Sequence, residues 1–364
     1  STAPDGSLWI CDMCRGSVEH PDYMPPGLAE TLDLRRGDNA GRIWRIRKKD
    51  SLVRPWSAPI NATMAAALLN DPNGWRRDTA QRLLVEHRFP DAAEAVIPLL
   101  EPDASALATL HALWTLEGLG ELTGDQIRLA ASSKHTIIRE TSARLVSEAV
   151  GLRASSKTSH NPRTMAEVSV DEQAARETLR GIIALELCRD SDAMVRFAAV
   201  LAAGGSHDAR ATLALSNAAT DPSLDLWISR AIASGALARA SLIVTSIAKE
   251  SIDETPERLF LIETLGATAA GRSETDCPDT LPLLDFLAYR AQEKSISWID
   301  IAALSGLLTR RLSAVQQSPS FISVTLPHIV AAAENISRSS KSSLSSRCCA
   351  VRLLGSVLRM GEII

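Results

Sequence analysis

A short turn between two helical patterns recurs through most of this 364-residue chain and constrains its fold more than any other feature. Each copy has Asp, Pro or Ser in the turn, then an apolar residue usually followed by Arg, then a small residue about four positions later. Four such turns are Asp71-Pro72-Asn73-Gly74, Ser132-Ser133-Lys134, Asp190-Ser191-Asp192 and Asp221-Pro222-Ser223. Because Asp and Ser side chains accept hydrogen bonds from the free N–H groups of a helix start, each turn predicts a cap on the helix after it.

The copies recur at about 30 residues, a spacing typical of helical repeats. Each helix pair exposes an apolar face that only a neighbouring pair can cover, so the pattern predicts an α-solenoid of HEAT-type, armadillo-like pairs over 62–364. The predicted pairs are 62–87, 91–119, 123–150, 174–203, 208–237, 240–270, 280–313 and 321–360. The polar stretch near 153–170 predicts an exposed insertion.

Composition supports helices and excludes several functions. Hydrophobic residues make up 45% and aromatic residues 4%, which suits closely packed Ala/Leu-rich helices and disfavours an all-β fold. A net charge of -4 excludes a global basic field, so we do not expect nucleic acid as a partner. The sequence has no run of 18 or more apolar residues, so it predicts no membrane span in this chain.

Residues 1–50 follow a different pattern, which ends in a linker at 51–61. Ser7 to Met13 and Arg42 to Arg47 are predicted strands, joined by a loop rich in Pro and Gly. Two strands are not stable alone and need further strands beside them. The chain also starts on a turn and without an initiator Met, and we therefore expect it to be a fragment of a longer protein.

Two parts of the chain resemble a known family. The first consists of Asp5-Gly6-Ser7-Leu8-Trp9, Asp12-Met13, Arg15-Gly16, Glu19-His20-Pro21, Leu34-Arg35-Arg36-Gly37-Asp38 and Gly41-Arg42-Ile43-Trp44-Arg45-Ile46. The second consists of Pro72-Asn73-Gly74-Trp75-Arg76-Arg77-Asp78-Thr79-Ala80-Gln81-Arg82-Leu83-Leu84 and His111-Ala112-Leu113-Trp114-Thr115-Leu116-Glu117-Gly118-Leu119-Gly120. They resemble the propeller end and the first HEAT repeats of the membrane-bound dehydrogenases of Planctomycetes-type bacteria. In that family a quinoprotein-like, sorbosone-dehydrogenase-like β-propeller precedes HEAT repeats and often a c-type cytochrome domain. Beyond about residue 150 the resemblance is only HEAT-like.

The resemblance implies that residues 1–50 are the closing strands of a β-propeller. It also implies that this chain is a non-catalytic scaffold segment of a membrane-bound or exported, cytochrome-linked dehydrogenase, located in the periplasm or outside the cell. A quinone and a c-type haem would belong to other parts of the parent, since this chain has no C-x-x-C-H motif and is expected to hold no cofactor. The partners implied are other domains of the parent, or a protein bound on the concave face. Cys14 departs from the family, which usually has Tyr there.

Four residues are candidates for a binding site at the mouth of such a propeller: Arg15, His20, Arg35 and Arg36. Their charges suit an anionic cofactor or substrate, and the alternative is a solvated loop whose arginines bind carboxylates or carbonyls. We predict no catalytic residue and no metal site. Cys11 and Cys14 form a C-x-x-C pair, but zinc would need two more ligands nearby. Four tryptophans of the helical region are predicted to pack in its core: Trp75, Trp114, Trp227 and Trp298.

Two other functions stay open. A free-standing HEAT protein that binds peptides or proteins would have an N-terminal cap in place of two orphan strands. An enzyme on a HEAT scaffold, such as a DNA glycosylase-like or bilin lyase-like protein, is the third hypothesis. Its glycosylase form requires a basic concave face.

Overall fold

The computed structural model of the protein describes residues 2–50, 56–87, 89–154, 170–250, 252–271, 279–316 and 318–361. The chain is mainly helical, with 65% helix against 3% strand, and this confirms the predicted fold class at that level. The predicted insertion near 153–170 lies almost wholly outside the described residues, as does the first half of the predicted linker. The chain divides into two compact units, Ser1–Leu122 and Thr123–Ile364. The predicted domain limits at 50 and 62 stay a prediction.

The first unit combines a two-stranded sheet with short helices. Its elements are β1 (Leu8–Asp12), α1 (Leu28–Thr31), β2 (Arg42–Ile46), α2 (Ala62–Leu68), α3 (Gly74–His87), α4 (Ala92–Val96) and α5 (Ala106–Leu119). Single 3-10 turns lie at Pro21–Tyr23 and Ile97–Leu100. β1 and β2 are antiparallel, with Leu8 opposite Ile46 and Asp12 opposite Arg42. α3 packs on α2 and α5, while α4 packs on α2 and α5.

The second unit consists of helices. They are α6 (Gly124–Ala131), α7 (Thr136–Ala154), α8 (Val170–Leu187), α9 (Ala193–Gly204), α10 (Ala209–Thr220), α11 (Leu226–Ser234), α12 (Ala240–Ile247), α13 (Pro256–Ala269), α14 (Thr280–Gln292), α15 (Trp298–Arg310), α16 (Leu312–Gln316), α17 (Leu326–Arg338) and α18 (Leu344–Gly361). A π-helical turn, Phe321–Thr325, leads into α17. Most of these helices fall within the predicted pairs, but α7 runs past 150 to Ala154, α8 begins at Val170 and not at 174, and α16 runs past 313 to Gln316.

Helices of the second unit pack in two rows. In the first row α6 contacts α8, α8 contacts α10, α10 contacts α12 and α12 contacts α14. In the second row the contacts run in order through α7, α9, α11, α13, α15 and α18. Each interior helix therefore has a neighbour on both sides within its row. The buried core between the rows is mostly Ala, Leu, Ile and Val, so helices approach closely.

Helix starts explain why the turns recur. The carboxylate of Asp192 accepts from the N–H groups of Met194 and Val195 at the start of α9. Asp225 accepts from the N–H of Ile228 at the start of α11. The predicted capping role of Asp is confirmed at both helices, although the cap of α11 lies two residues after the predicted turn at 221–223.

No helix among the described residues is both long and apolar enough to cross a lipid bilayer.

Candidate functional site

The two strands of the first unit, which we call the ribbon (β1 and β2), expose apolar side chains on both faces. Residues opposite each other in an antiparallel register share a face. One face carries Leu8, Ile10, Trp44 and Ile46, and the other carries Trp9 and Ile43. All six are exposed; 64% of Ile43 and 50% of Trp44 are open to solvent. A strand that is apolar on both sides is typical of a sheet covered on both faces.

Polar contacts hold the edge and the ends of the ribbon. The carboxylate of Asp5 accepts from the hydroxyl of Ser7 (2.6 Å) and from its N–H (3.0 Å), and it pairs with Arg45 of β2. These contacts, led by the Ser7 hydroxyl, lower the pKa of Asp5 to about 2. At the opposite end Trp44 Nε1 donates to Asp12 Oδ2 over 2.9 Å. The ribbon is thus stapled across its strands at both ends.

The four predicted binding residues all lie exposed on the loop between the strands. Arg15 Nη2 donates to the carbonyl of Leu34 over 2.7 Å. The carbonyl of Arg36 accepts from the N–H of Gly16 over 2.8 Å, so the structure brings the Arg15 and Arg36 segments together.

Gly37 permits this crossing of the two segments. Its φ is +82°, and a Cβ there would lie 1.9 Å from the carbonyl oxygen of Cys14. Any larger residue at this position would push the two segments apart.

His20 and Arg35 have local backbone partners. His20 Nδ1 accepts from the N–H of Asp22 at the start of a 3-10 turn (3.3 Å). The N–H of Arg35 donates to Asp33 Oδ1 over 3.1 Å. Arg15 therefore binds a carbonyl, as the solvated-loop alternative expects, and the contacts described give these side chains no common ligand. Their role in binding stays a prediction.

Cys11 and Cys14 are both exposed free thiols. Cys11 lies on the Trp9 face of β1, whereas Cys14 follows the strand with a φ of 51°. Arg42 Nη2 lies 3.6 Å from Cys14 Sγ. Over the described ranges, no three His, Cys, Asp or Glu side chains are grouped to hold a metal ion.

Asn73 and Arg76 join the N-terminal segment to the helices of its unit. The sequence did not predict this role for them. Asn73 Nδ2 donates to the carbonyls of Ala3 (2.9 Å) and Pro4 (3.2 Å). Arg76 Nε donates to the carbonyl of Pro4 over 2.7 Å. The only sequence signal was the Asn73-Gly74-Trp75-Arg76 run, which predicted a helix start but not its second use. The ribbon is therefore held at one end by side chains from the turn before α3 and its first residues.

Tryptophans near this joint are partly open. Trp75 is half-buried, and its ring lies edge-on to Trp56 with centroids 5.2 Å apart. Trp114 and Trp298 are also half-buried. The prediction of core packing is wrong for Trp227, which is 66% exposed with the Arg230 guanidinium 5.4 Å from its ring centroid. Trp227 is the second residue of α11, and its ring contacts Arg230 of the same helix.

Arginines near the start of second-row helices bind the carbonyls of the turns before them. Each guanidinium donates to an oxygen five or six residues earlier in the chain. The pairs are Arg139–Ser133 (2.9 Å), Arg196–Asp190 (2.8 Å) and Arg258–Asp253 (2.7 Å). Arg77 does the same in the first unit, at the carbonyl of Asp71 (2.7 Å). These arginines therefore hold the backbone of the turn that precedes their helix.

Two of these arginines also join successive helix pairs. Arg139 forms a two-point ion pair with Asp190 over 2.7 and 2.9 Å, and this bond lowers the pKa of the Asp190 carboxyl. Arg258 Nη2 donates to the carbonyl of Asp221 over 3.1 Å. Asp221 lies in the recurrent turn of the preceding helix pair. The charged donors are used inside the fold and are not presented as a basic surface.

A second set of arginines binds backbone carbonyls of second-row helices. Arg180 of α8 is 1% exposed, and it donates to the carbonyls of Val146 (3.1 Å), Ser147 (2.8 Å) and Gly205. Burial lowers its pKa. Arg239 donates to the carbonyls of Gly204 (2.8 Å) and Gly235 (2.9 Å), where α9 and α11 end. The carbonyls of Gly204, Gly205 and Gly235 lie where helices end and leave carbonyls without an intrahelical partner, whereas Val146 and Ser147 lie inside α7.

Comparison with known proteins identifies one segment of the chain. Residues 1–50 match the family described as "Domain of unknown function (DUF7133)". The match includes both strands of the ribbon and the loop with Arg15, His20, Arg35 and Arg36. No curated protein matches the chain.

Proposed function

We propose that this chain is a helical scaffold that carries the last strands of a sheet otherwise formed by other segments. The single observation that supports this most is the ribbon: two strands with apolar side chains exposed on both faces, yet stapled and anchored. Such strands would gain stability from further strands at their edges and from sheets over their faces. A β-propeller supplies both, because its four-stranded blades pack around a central channel.

The helical part of the proposal is an α-solenoid of HEAT-type pairs. Its support is the order of contacts in the second unit, where each row helix contacts the next and arginines bond successive pairs. A repeat array gains stability from such nearest-neighbour contacts. It would act as a stiff spacer that sets the distance between the propeller and whatever lies beyond.

The context of the scaffold is the parent dehydrogenase implied by the resemblance. In this proposal catalysis, the quinone and the c-type haem belong to other domains, and the protein is exported or periplasmic. This chain would contribute position and contact surface. Arg15, His20, Arg35 and Arg36 would then lie on a loop of the closing blade, where their charges could face an anionic ligand.

The arginine contacts favour a scaffold over a nucleic-acid enzyme. A glycosylase-like array would need cationic side chains free to bind phosphates. Arg139, Arg180 and Arg258 instead donate to carbonyls or to a carboxylate of the chain itself.

Hydrogen exchange tests the proposal in two proteins. The first is the chain of 364 residues, and the second is the complete product of its reading frame. We expect the amides of β1 and β2 that do not bond within the ribbon to exchange fast in the first and slowly in the second, because new strands cover the edges. We also expect the reading frame to encode propeller blades before this chain and a C-x-x-C-H motif after it. Equal exchange in both proteins would contradict the role of the ribbon.

A further inference from the structure

The last helix of the second row carries an apolar stripe on its outer side. The stripe consists of Leu344, Cys348, Val351, Gly355 and Leu358 of α18, at alternating spacings of four and three residues. Leu344, Val351 and Leu358 are 69%, 58% and 71% exposed, and Cys348 is exposed as well. Residues at these spacings lie on one side of a helix.

The stripe lies opposite the side by which α18 joins the fold. Cys349, Ala350, Leu353 and Met360 are buried, and α18 contacts α15 and α17. The preceding row helix differs, because Ile299 through Leu308 of α15 are all buried between neighbours. Within the described residues, α18 therefore has the outer face of a row helix without the next helix of the row.

The geometry of the stripe fits another helix. Alternating spacings of four and three are the a and d pattern by which two helices pack side by side. Gly355 lies in the stripe between Val351 and Leu358, and a Cβ there would meet no atom within 4 Å. A second helix could therefore approach closely at this point.

The positive charge of α18 indicates which kind of helix would bind there. α18 contains Arg347, Arg352 and Arg359 and has no Asp or Glu from Leu344 to Gly361. Glu263 binds Arg352 over 2.7 and 2.8 Å, but Arg347 and Arg359 have no ion pair within the part of the chain that is described. A second copy of α18 would bring arginines toward arginines, which is unfavourable. Acidic side chains on the flanks of the arriving helix would be attracted instead.

From these features we propose that the outer face of α18 binds an amphipathic α-helix with an apolar a/d stripe and acidic flanks. The site does not depend on the propeller proposed above, because it uses residues of the second unit only.

A pair of designed peptides tests this site on the full chain. Each peptide is about three heptads long, with Leu at a and d; one has Glu at e and g and its twin has Lys there. We expect the Glu peptide to bind at least about tenfold more tightly than the Lys peptide in a fluorescence anisotropy titration, with the preference weakening as salt is raised.

Variants locate the binding site. The double change Val351→Gln and Leu358→Gln should weaken binding of the Glu peptide by at least about tenfold, since both side chains are exposed and neither supports the core. Leu281→Gln is the matched control, because Leu281 is 67% exposed on α14 and lies off the stripe. Arg359→Glu should reduce the preference for the Glu peptide.

Alkylation gives a second readout without mutation. Bound peptide should slow the reaction of Cys348, while exposed Cys11 and Cys14 keep their rates. Cys349 serves as a buried reference, because burial raises its thiol pKa to about 12.

Three results would overturn the proposal. One is that neither peptide binds; another is that both bind equally. The third is self-association of the chain in analytical ultracentrifugation that the Val351/Leu358 double variant abolishes, which would make a second copy the occupant.

Discussion

The ribbon and the second row of helices differ in whether their apolar side chains are exposed or buried. The ribbon exposes Trp9, Ile43 and Trp44, whereas α15 buries every residue from Ile299 to Leu308. Among the described residues no third element covers the faces of the two strands, whereas α15 lies between its row neighbours α13 and α18. The difference teaches that burial here depends on how many elements surround a segment and not on how apolar it is.

The two regions also differ in how their arginines are used. Arg15 and Arg36 lie exposed on the ribbon loop, while Arg180 is almost fully buried against α7 and the end of α9. The predictions below remove one element of this contrast at a time, from the largest expected effect to the smallest.

Arg180→Ala should cost about 3–5 kcal/mol of unfolding free energy. The change removes a buried guanidinium that donates to the carbonyls of Val146, Ser147 and Gly205, and it opens a cavity. A urea melt of both proteins measures the loss. Arg230→Ala is the control, because Arg230 lies over an exposed Trp227 and should cost less than about 1 kcal/mol. Equal losses would mean that burial of the guanidinium is not what matters.

Gly306→Ala and Gly355→Ala should have opposite signs. A Cβ at Gly306 would lie 1.8 Å from the carbonyl oxygen of Glu263, so α13 and α15 would have to separate, at a cost of about 1–3 kcal/mol. A Cβ at Gly355 meets no atom, and Ala should stabilise α18 by about 0.5–1 kcal/mol. Thermal melts of the two variants decide this. A destabilised Gly355→Ala protein would show that the outer face of α18 is already covered.

Arg76→Met should loosen the ribbon without unfolding the helices. It removes the hydrogen bond to the carbonyl of Pro4 and should cost about 1 kcal/mol of local stability. Hydrogen exchange should quicken in β1 and β2 and stay unchanged in α3. Arg82→Met on the same helix is the matched control, since Arg82 is exposed and pairs with Glu86 at the surface. Faster ribbon exchange in both variants would exclude a specific anchor.

Stability of the first unit should fall as pH is lowered from about 7.5 to 5.5. His111 accepts from Arg77 Nε (3.2 Å) and lies 2.7 Å from Gln81 Oε1, and burial, followed by the charge of Arg77, lowers its pKa. The unfolded chain therefore takes up a proton first, near its ordinary pKa of 6.5, and stability is lost below that pH. The loss is at most about 1.4 kcal/mol per pH unit for one proton, and screening makes it smaller at this half-buried ring.

His111→Asn is the test of this pH dependence, because Asn retains a donor for Gln81 and does not titrate. Melts at stepped pH should show a flatter profile for the variant than for the parent. A profile of the same slope would assign the effect to another group.

Much of the helical organisation was predictable. The Asp-rich turns located helix starts because a cap is a local interaction, decided by a few neighbouring residues, as at Asp192 and Asp225. The strands Leu8–Asp12 and Arg42–Ile46 fall within the predicted strands Ser7 to Met13 and Arg42 to Arg47. The candidate site was predicted only as a set of residues on one loop.

The sequence by itself determined where helices and strands form, since capping, alternation and helical spacing act over a few residues. It also marked a recurrent Arg after most of the turns without showing what that charge binds. The tertiary structure decided that Arg139 and Arg258 bond neighbouring turns, that Asn73 and Arg76 hold the N-terminal segment, and that Trp227 stays in solvent. The four contacts join residues 37 to 72 positions apart, whose meeting is set by tertiary packing and not by any local preference.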